Sequence, residues 1–481
     1  MTPPPPPPHR YPMLPMQDAV DVVLSRARPL PAEEIPLSSA LGRVLATDVV
    51  SARPHPPFAA SIMDGYAVRA SDCPGSLRVV GASRAGAPMT SAIASGACAY
   101  VTTGAPIPPG ADAVVPHERC EKILDDDDDD DDARAPARAV RVLDAATPGL
   151  WTRAIGSDVP GGAVVLERGT LIGPHEIGVA ALAGVRRVLY TGPHTTATLR
   201  VHGTPKLALA STGDELVDVG VASSASSSPN EPPRLGEIYD ANRPMLAAAA
   251  VAAGVGVDDV VDLGVVRDDP AALARCVAAA LDANADIIVT TGGVSEGDRD
   301  HLKEVLSGES AACVAAGIAG VVRFGRVAMK PGKPLTFAEV RRTRTDSDGR
   351  DADGHVALVF ALPGNPVSAA VTFQLVVVPT LRRMLGWADP RLRRIRCRLE
   401  ADVRLDAERP EYHRATLRWE TPCAAPPGST GRQISSRLSS MTGADVLLEL
   451  PRGPGTARGG SVASALVIGD LRAAAIQLAR F

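Results

Sequence analysis

The stretch "VVDLGVVRDDPAALARCVAAALDANADIIVTTGG" (260–293) decides the fold. "VVDLGVV" reads as a strand, "PAALARCVAAALDA" as a helix and "ADIIVTTGG" as a second strand, which together make a βαβ unit. The same alternation continues on both sides. Before it come strand "KLALAS" (206–211) and helix "RPMLAAAAVAAG" (243–254). After it come helix "RDHLKEVLS" (299–307), strands "RVAMK" (326–330) and "HVALVFALPG" (355–364), and helix "PVSAAVTFQLVVVPTLRRML" (366–385). This winding predicts a parallel sheet covered on both faces.

Length, composition and charge bound the rest. At 481 residues the chain exceeds one hydrophobic core, and about 100–200 residues per domain predicts three or four units. Apolar residues at 45 % and charged residues at 22 % are near globular norms. A net charge of −5, with 50 basic against 55 acidic residues and only 15 aromatic ones, sets nucleic-acid binding aside. The seven cysteines (73, 98, 120, 276, 313, 397 and 423) include no Cys-x-x-Cys. That spacing argues against a disulfide framework or structural zinc and fits a reducing cytosol. The N-terminus does not read as a targeting signal, and no apolar run reaches the roughly 18 residues of a membrane span. A cytoplasmic location is therefore expected.

Outside the winding region, "MQDAVDVVLSRA" (16–27) has near-helical apolar spacing. Short β-runs broken by Gly and Pro from Arg53 to about Leu143 read as an all-β unit. "GAVVLERGTLIGPHEIGVAALAGVRRVLY" (162–190) reads as a strand, a turn and a small helix beginning after Gly173–Pro174. "RIRCRLEADVRL", "YHRATLRWE" and "DVLLELP" beyond Arg391 return to period-two patterning, giving a final β-domain with a Pro/Gly-rich loop at 421–431. Pro3–Pro8 reads as a disordered lead, with SH3-type recognition the alternative. The eight aspartates Asp125–Asp132 read either as a solvated hairpin tip or as a cation- or protein-binding loop. Polar inserts at 218–236 and 341–354 are expected to be surface loops.

In a doubly wound sheet, ligands sit beyond the carboxyl ends of the strands. The loops there are "TGDE" (212–215), "DANR" (240–243), "TTGGVSEGD" (290–298), "KPGKP" (330–334) and "PGNPVS" (363–368). Gly292 and Gly293 permit close backbone approach to a phosphate, and Ser295, Asn242 and Asn365 add polar groups; an ordinary capped βα turn is the alternative at each. Lys330 and Lys333 project from a rigid Pro–Gly–Pro loop and suit an anion. Asp214, Glu215, Asp240 and Asp298 offer hard oxygen ligands for magnesium beside a phosphate, or else cap helices.

Nine ordered motifs carry a resemblance. They are "PPFAASIMDGYAVRASD" (56–72), "VTTGAPIPPGADAVVP" (101–116), "STGDEL" (211–216), "GEIYDANRPML" (236–246), "TTGGVSEGDRDHLKEVL" (290–306), "GRVAMKPGKPLTFAEV" (325–340), "FALPGNPVSAAVTFQLVVVPTL" (360–381), "RPEYHRATL" (409–417) and "ISSRLSSMTGADVLLELP" (434–451). Over residues 11–480 the chain resembles the molybdopterin molybdenumtransferases, which include bacterial MoeA and the E domains of gephyrin and its plant counterpart.

The resemblance implies the last step of molybdenum cofactor synthesis. Adenylylated molybdopterin is cleaved to AMP with a divalent cation, Mg2+ or another, and molybdenum from molybdate enters the dithiolene. It implies that Lys330, Lys333, Pro334, Ser368, Arg414 and Ser440 gather molybdate. Asp64, Thr103, Asp158, Glu215, Asp240 and Asp298 would surround substrate, with Glu215, Asp240 and Asp298 on the metal. The Asp64 loop would reach a partner's cleft, so a homodimer with composite sites is expected. A separate molybdopterin adenylyltransferase would act upstream. A gephyrin-like scaffold or peptide-binding protein with reduced or lost catalysis is the alternative.

The resemblance also implies the architecture: a doubly wound molybdopterin-binding α/β domain (13–27 and 191–390), an elongated linking domain (28–52 and 144–190), an inserted β domain (53–143) and a C-terminal β-barrel (391–481), after a Pro-rich lead (1–12). Three places depart from the family pattern. Glu296 stands where an apolar residue is common, where it could either add a metal ligand or repel substrate. Trp151–Thr152 replaces Asn-Ile, and "PHERC" (116–120) replaces a more acidic segment.

Overall fold

A computed structural model of the chain describes residues 11–123, 138–185, 188–191, 194–219, 233–294, 301–343, 354–419, 424–431 and 433–469. The chain divides into two compact units. One comprises Met1–Glu33, Gly42–Ala46 and Val201–Phe481, and the other Glu34–Leu41 and Thr47–Arg200. The Pro-rich lead, the aspartate run, and most of both polar inserts lie outside the described residues.

The first unit is built on six strands: β1 (Leu207–Thr212), β2 (Val260–Val266), β3 (Ile287–Thr291), β4 (Ile318–Phe324), β5 (Thr336–Arg342) and β6 (Val356–Leu362). Their order across the sheet is β2-β1-β3-β6-β5-β4. The first four in this order are mutually parallel. Strand β5 runs antiparallel to β6, and β4 antiparallel to β5. β1 and β3 are buried at every residue, because helices cover both faces.

Alternation assigns the two faces. Leu207, Leu209, Ile287, Val289, Phe337 and Phe360 pack with helices Met16–Arg26, Asn242–Ala252 and the Pro366–Met384 segment. Ala208, Ile288, Ala338 and Val359 pack with Pro270–Asp282, His301–Ser307 and Ala311–Ala316. Met16, Ala19 and Val23 are the buried stripe of the first helix. Asp269 caps Pro270–Asp282 by accepting from the amides of Ala271 and Ala272 at 3.0 and 3.1 Å, with Pro270 at the tolerated first position. Truncating fully buried Phe337, whose ring lies 5.1 Å from that of Phe360, would cost about 3–5 kcal/mol.

Two expectations change here. "RVAMK" does not enter this sheet: Val327–Ala328 pairs in parallel with Leu14–Pro15 instead. The strands that do enter are β4 and β5, so the sheet is mixed rather than parallel throughout. The loop between them reverses the chain without a crossover helix, and a strand returning that way must run antiparallel.

The C-terminal part of this unit is a five-stranded antiparallel sheet. Its order is Arg394–Arg398, Val462–Val467, Val446–Leu450, Glu411–Trp419, Ala424–Ser429. Cys397, Leu399, Ala415, Leu417, Val446 and Leu448 form its own core.

The second unit carries a six-stranded sheet in the order Ala113–Pro116, Gly65–Val68, Ala97–Val101, Gly75–Ser83, Ala139–Val142, Cys120–Ile123. The small helix expected after Gly173 spans Pro174–Leu182. The Gly173 amide donates to Glu176 Oε2 at 2.9 Å, closing its first turn.

Candidate active site

The carboxyl ends of β1, β3 and β6 are tied by a buried polar network. Ser211 and Thr291 share a hydroxyl hydrogen bond of 2.9 Å, and the Thr212 hydroxyl donates to the Thr291 carbonyl at 3.2 Å. Asn242 Nδ2 donates to Thr291 Oγ1 at 3.3 Å and to the Gly364 carbonyl at 2.8 Å. Gly292 has φ 90°, and a Cβ there would lie 2.2 Å from the Thr212 carbonyl oxygen. Gly293, at φ 65°, approaches Thr212 Oγ1 in the same way. Only glycine tolerates both the conformation and the contact. Gly364 follows β6, and exposed Asn365 precedes helix Pro366–Thr372.

Asp240 ends the two-residue strand Ile238–Tyr239, which pairs in parallel with Leu216–Val217. It is buried, and its Oδ1 accepts from the amides of Asn242 and Arg243 at 2.9 and 3.3 Å, capping helix Asn242–Ala252. Its Oδ2 and the Asn242 Oδ1 are buried and meet no hydrogen-bond donor among the described residues. Arg243 gathers three carboxylates: Asp218, Asp262 at 2.9 Å and Asp240 at 3.5 Å. Glu215 enters the same ribbon at its other end, its carboxylate folded over Gly213, where a Cβ would meet Oε2 at 2.6 Å. Asp214 is exposed beside it.

Among the described residues no group of three His, Cys, Asp or Glu is arranged as a metal cage. Magnesium is commonly held by one or two carboxylates completed by substrate phosphate oxygens, and Asp240 Oδ2, which faces the Arg243 guanidinium at 3.5 Å, fits that mode together with Asn242 Oδ1. Asp298 and Ser295, with Glu296 between them, lie outside the described residues.

The lysine loop is pinned at several points. Gly332 has φ 116°, and a Cβ there would lie 2.5 Å from Thr372 Cγ2, so the loop rests on helix Pro366–Thr372, which carries buried Ser368. The Val327 amide donates to the Lys333 carbonyl at 2.9 Å, and Pro334 accepts from the Thr336 hydroxyl at 3.3 Å. The Lys330 amide donates to the Pro410 carbonyl at 2.9 Å, and the Tyr412 amide donates to the Lys330 carbonyl at 2.8 Å. These bonds set Lys330 beside Glu411.

Arg414 is 1 % exposed, and its Nε and Nη2 both donate to Ser440 Oγ, at 3.3 and 3.2 Å. Among the described residues no carboxylate lies within ion-pair distance of it. Burial pushes its pKa down to about 10, with the more distant Glu411 working the other way, so the guanidinium stays charged at neutral pH. The Val367 amide donates to the Ser435 carbonyl at 3.0 Å, which ties the Ser368 helix to the segment bearing Ser440. The helix that bears Ser368 is thus tied on one side to the segment of Ser440 and on the other to the Gly332 loop. The Lys330 ammonium goes elsewhere: it contacts Asp406 at 3.2 Å and Glu411 at 3.3 Å. Alternation along Glu411–Trp419 puts Glu411 and His413 on the face opposite Arg414.

In the second unit, Asp64 Oδ1 accepts from the Thr103 amide at 2.5 Å and its hydroxyl at 2.9 Å. The amide bond first, then the hydroxyl, holds this exposed carboxyl below the usual range. "MDGY" is more than a turn, since Gly65 begins a strand and a Cβ there would lie 2.1 Å from the Val115 carbonyl oxygen. Asp158 is exposed and pairs with Arg153 at 3.4 Å. Sequence reasoning passed over Asp406, Glu411, His413 and Arg243. The last three stand in "RPEYHRATL" and "DANR", where the charge density itself was the available signal.

Three regions match known families in order: residues 14–184 match the MoeA N-terminal region (domain I and II), 208–383 a probable molybdopterin binding domain, and 396–468 the MoeA C-terminal region (domain IV). A molybdopterin molybdenumtransferase 2 from Mycobacterium tuberculosis is 32 % identical, covering 90 % of this chain and 94 % of its own. The chain belongs to the MoeA family. A gephyrin from Dictyostelium discoideum is 35 % identical over 96 % of this MoeA-family chain, which spans 63 % of that protein. A molybdopterin biosynthesis MoeA protein from Pyrococcus horikoshii superposes with a TM-score of 0.71 at 27 % identity, covering 95 % of this chain and all of that one. Among the described residues no helix is long and apolar enough to cross a membrane.

Proposed function

We propose that this MoeA-family chain is a molybdopterin molybdenumtransferase that takes molybdenum from molybdate into adenylylated molybdopterin with release of AMP. The observation that carries the reading is Arg414: a buried guanidinium whose side chain, among the described residues, meets a hydroxyl and no carboxylate. An unpaired buried charge is destabilising, so the site is completed by a ligand of opposite charge. Molybdate is a tetrahedral dianion, for which Arg414 supplies charged donors, Ser368 and Lys333 would add further donors, and Ser440 and Pro334 would shape the pocket.

The pterin phosphate and adenylate are assigned to the ends of β1, β3 and β6. There Gly292 and Gly293 bring backbone close and Asn242 and Asn365 offer polar groups, to which Ser295 would add a hydroxyl. A divalent cation, magnesium or another, would be held by Asp240 with Glu215 and Asp298, and when bound it neutralises phosphoanhydride charge. Arg243 fixes the Asp240 carboxylate through the shared ion pair, and the Asp240 cap fixes the helix on which Asn242 stands. Asp64, Thr103 and Asp158 are assigned to the same site from a second copy of the chain, as a homodimer with composite sites requires. The adenylylated substrate would come from a separate adenylyltransferase, and the chemistry would be cytoplasmic.

The test is AMP release from adenylylated molybdopterin by purified protein with magnesium and molybdate. Release that depends on both is expected. No release under any metal, with intact fold and dimer, would contradict the reading.

A further inference from the structure

The Lys330 ammonium is held by two carboxylates that are themselves fixed. Asp406 Oδ1 accepts from the amides of Glu408 and Arg409 at 3.0 and 2.9 Å, leaving Oδ2 for Lys330. Glu411, 5 % exposed, takes His413 Nδ1 on Oε1 at 3.2 Å and Lys330 on Oε2 at 3.3 Å. His413 Nε2 is in turn bonded to Ser429 Oγ at 3.0 Å, and that hydroxyl also receives Gln433 Nε2 at 3.4 Å. Burial works against the charge on Lys330, but Glu411 and then Asp406 outweigh it and its pKa is raised.

This arrangement faces a cleft of about 570 Å³ and lies across the strand from Arg414. The main-chain bonds of Lys330 to Pro410 and Tyr412 fix its backbone, so only side-chain torsions can carry the ammonium from one face to the other. Two of its three N–H donors are occupied where it rests.

We propose that Asp406 and Glu411 form a resting berth for the Lys330 ammonium, and that an oxyanion at Arg414 and Ser440 recruits Lys330 only by drawing it off that berth. The inference rests on the proposed oxyanion site. It makes Asp406 and Glu411 positioning residues that set anion affinity by competition: each carboxylate stabilises the parked lysine and is left with a weaker partner when the lysine moves. A dianion draws the ammonium more strongly than a monoanion of similar size, so the berth also favours double charge.

Calorimetric titration of the purified protein with molybdate tests this. Asp406→Asn keeps the Oδ1 acceptor and Glu411→Gln keeps the shape, and each should tighten molybdate binding about three- to tenfold by weakening the berth. The tightening should vanish when either change is made in a Lys330→Met background. Unchanged or weaker binding in Asp406→Asn, whose side chain is partly exposed and whose fold is safe, would overturn the berth. So would tightening that persists without Lys330, since that is a general charge effect. Arg414→Met in the same titration separates the two levels: if it binds like wild type, the oxyanion site itself is wrong, whereas loss of binding there with no tightening in the berth variants refutes the berth alone.

Discussion

Arg414 and Ser440 stand 26 residues apart in sequence, yet two guanidinium nitrogens of one point at the single hydroxyl oxygen of the other, at 3.3 and 3.2 Å. The hydroxyl spends its own proton on the Arg437 carbonyl at 2.8 Å, so it is oriented as an acceptor toward an arginine that has no carboxylate within ion-pair distance among the described residues. This relationship sets function against stability at one position.

Arg414→Met should therefore abolish the molybdate dependence of AMP release while leaving the protein as stable or more so. Replacing a buried charge that lacks an ion pair with a packed apolar side chain removes its desolvation cost. Thermal unfolding and the molybdate titration on the same sample check both halves. A large fall in the unfolding midpoint would mean that the charge has an internal partner.

At Asp240, two substitutions separate capping from charge. Asp240→Asn keeps Oδ1 to accept from Asn242 and Arg243, so its fold should lose roughly 1 kcal/mol or less. Its metal-dependent AMP release should nonetheless disappear, because Oδ2 has lost its charge. Asp240→Ala should lose both, and Lys333→Ala should mainly weaken the response to molybdate. Single-turnover AMP release against metal and molybdate concentration reads all three.

Gly332→Ala places a Cβ 2.5 Å from Thr372 Cγ2 at a φ of 116°. Lifting the lysine loop off the Ser368 helix should lower stability by about 1–3 kcal/mol and raise the half-saturating molybdate concentration. Denaturant unfolding with and without molybdate measures both, and an unchanged molybdate response would detach the loop from the anion site.

The Asp64 carboxyl titrates below the ordinary 3.8 because Thr103 donates twice to its ionised form. For a depressed acid, the associated stabilisation is present above the unfolded-state pKa and is lost as pH falls through the folded one. Thr103→Ala removes only the hydroxyl bond, so the pKa of Asp64 should rise part of the way back. Carboxyl-carbon NMR titration checks this; a value at or above 3.8 in the wild-type protein would remove the bond from solution.

The winding was legible from 260–293 because apolar runs and capped helices alternate at lengths only a covered sheet produces. β4 and β5 were not legible as partners. "IAGVVRF" and "TFAEVRR" are short runs, the first partly exposed and the second largely buried, and neither propensity nor period carries the direction or register of a strand. The glycines were visible as punctuation, but that Gly292 abuts Thr212 and Gly332 abuts Thr372 is a fact of packing. Lysines 330 and 333 looked equivalent in "KPGKP". What separates them is Glu411, 81 residues further on and paired with Lys330 only because a β-bridge brings it there.

The central claim is tested most directly by anomalous diffraction at the molybdenum edge from crystals soaked in molybdate. The account predicts a peak beside the Arg414 guanidinium and the Ser440 hydroxyl, one molybdate oxygen beyond hydrogen-bonding distance. Occupied density elsewhere in the chain, with that pocket empty, would contradict it.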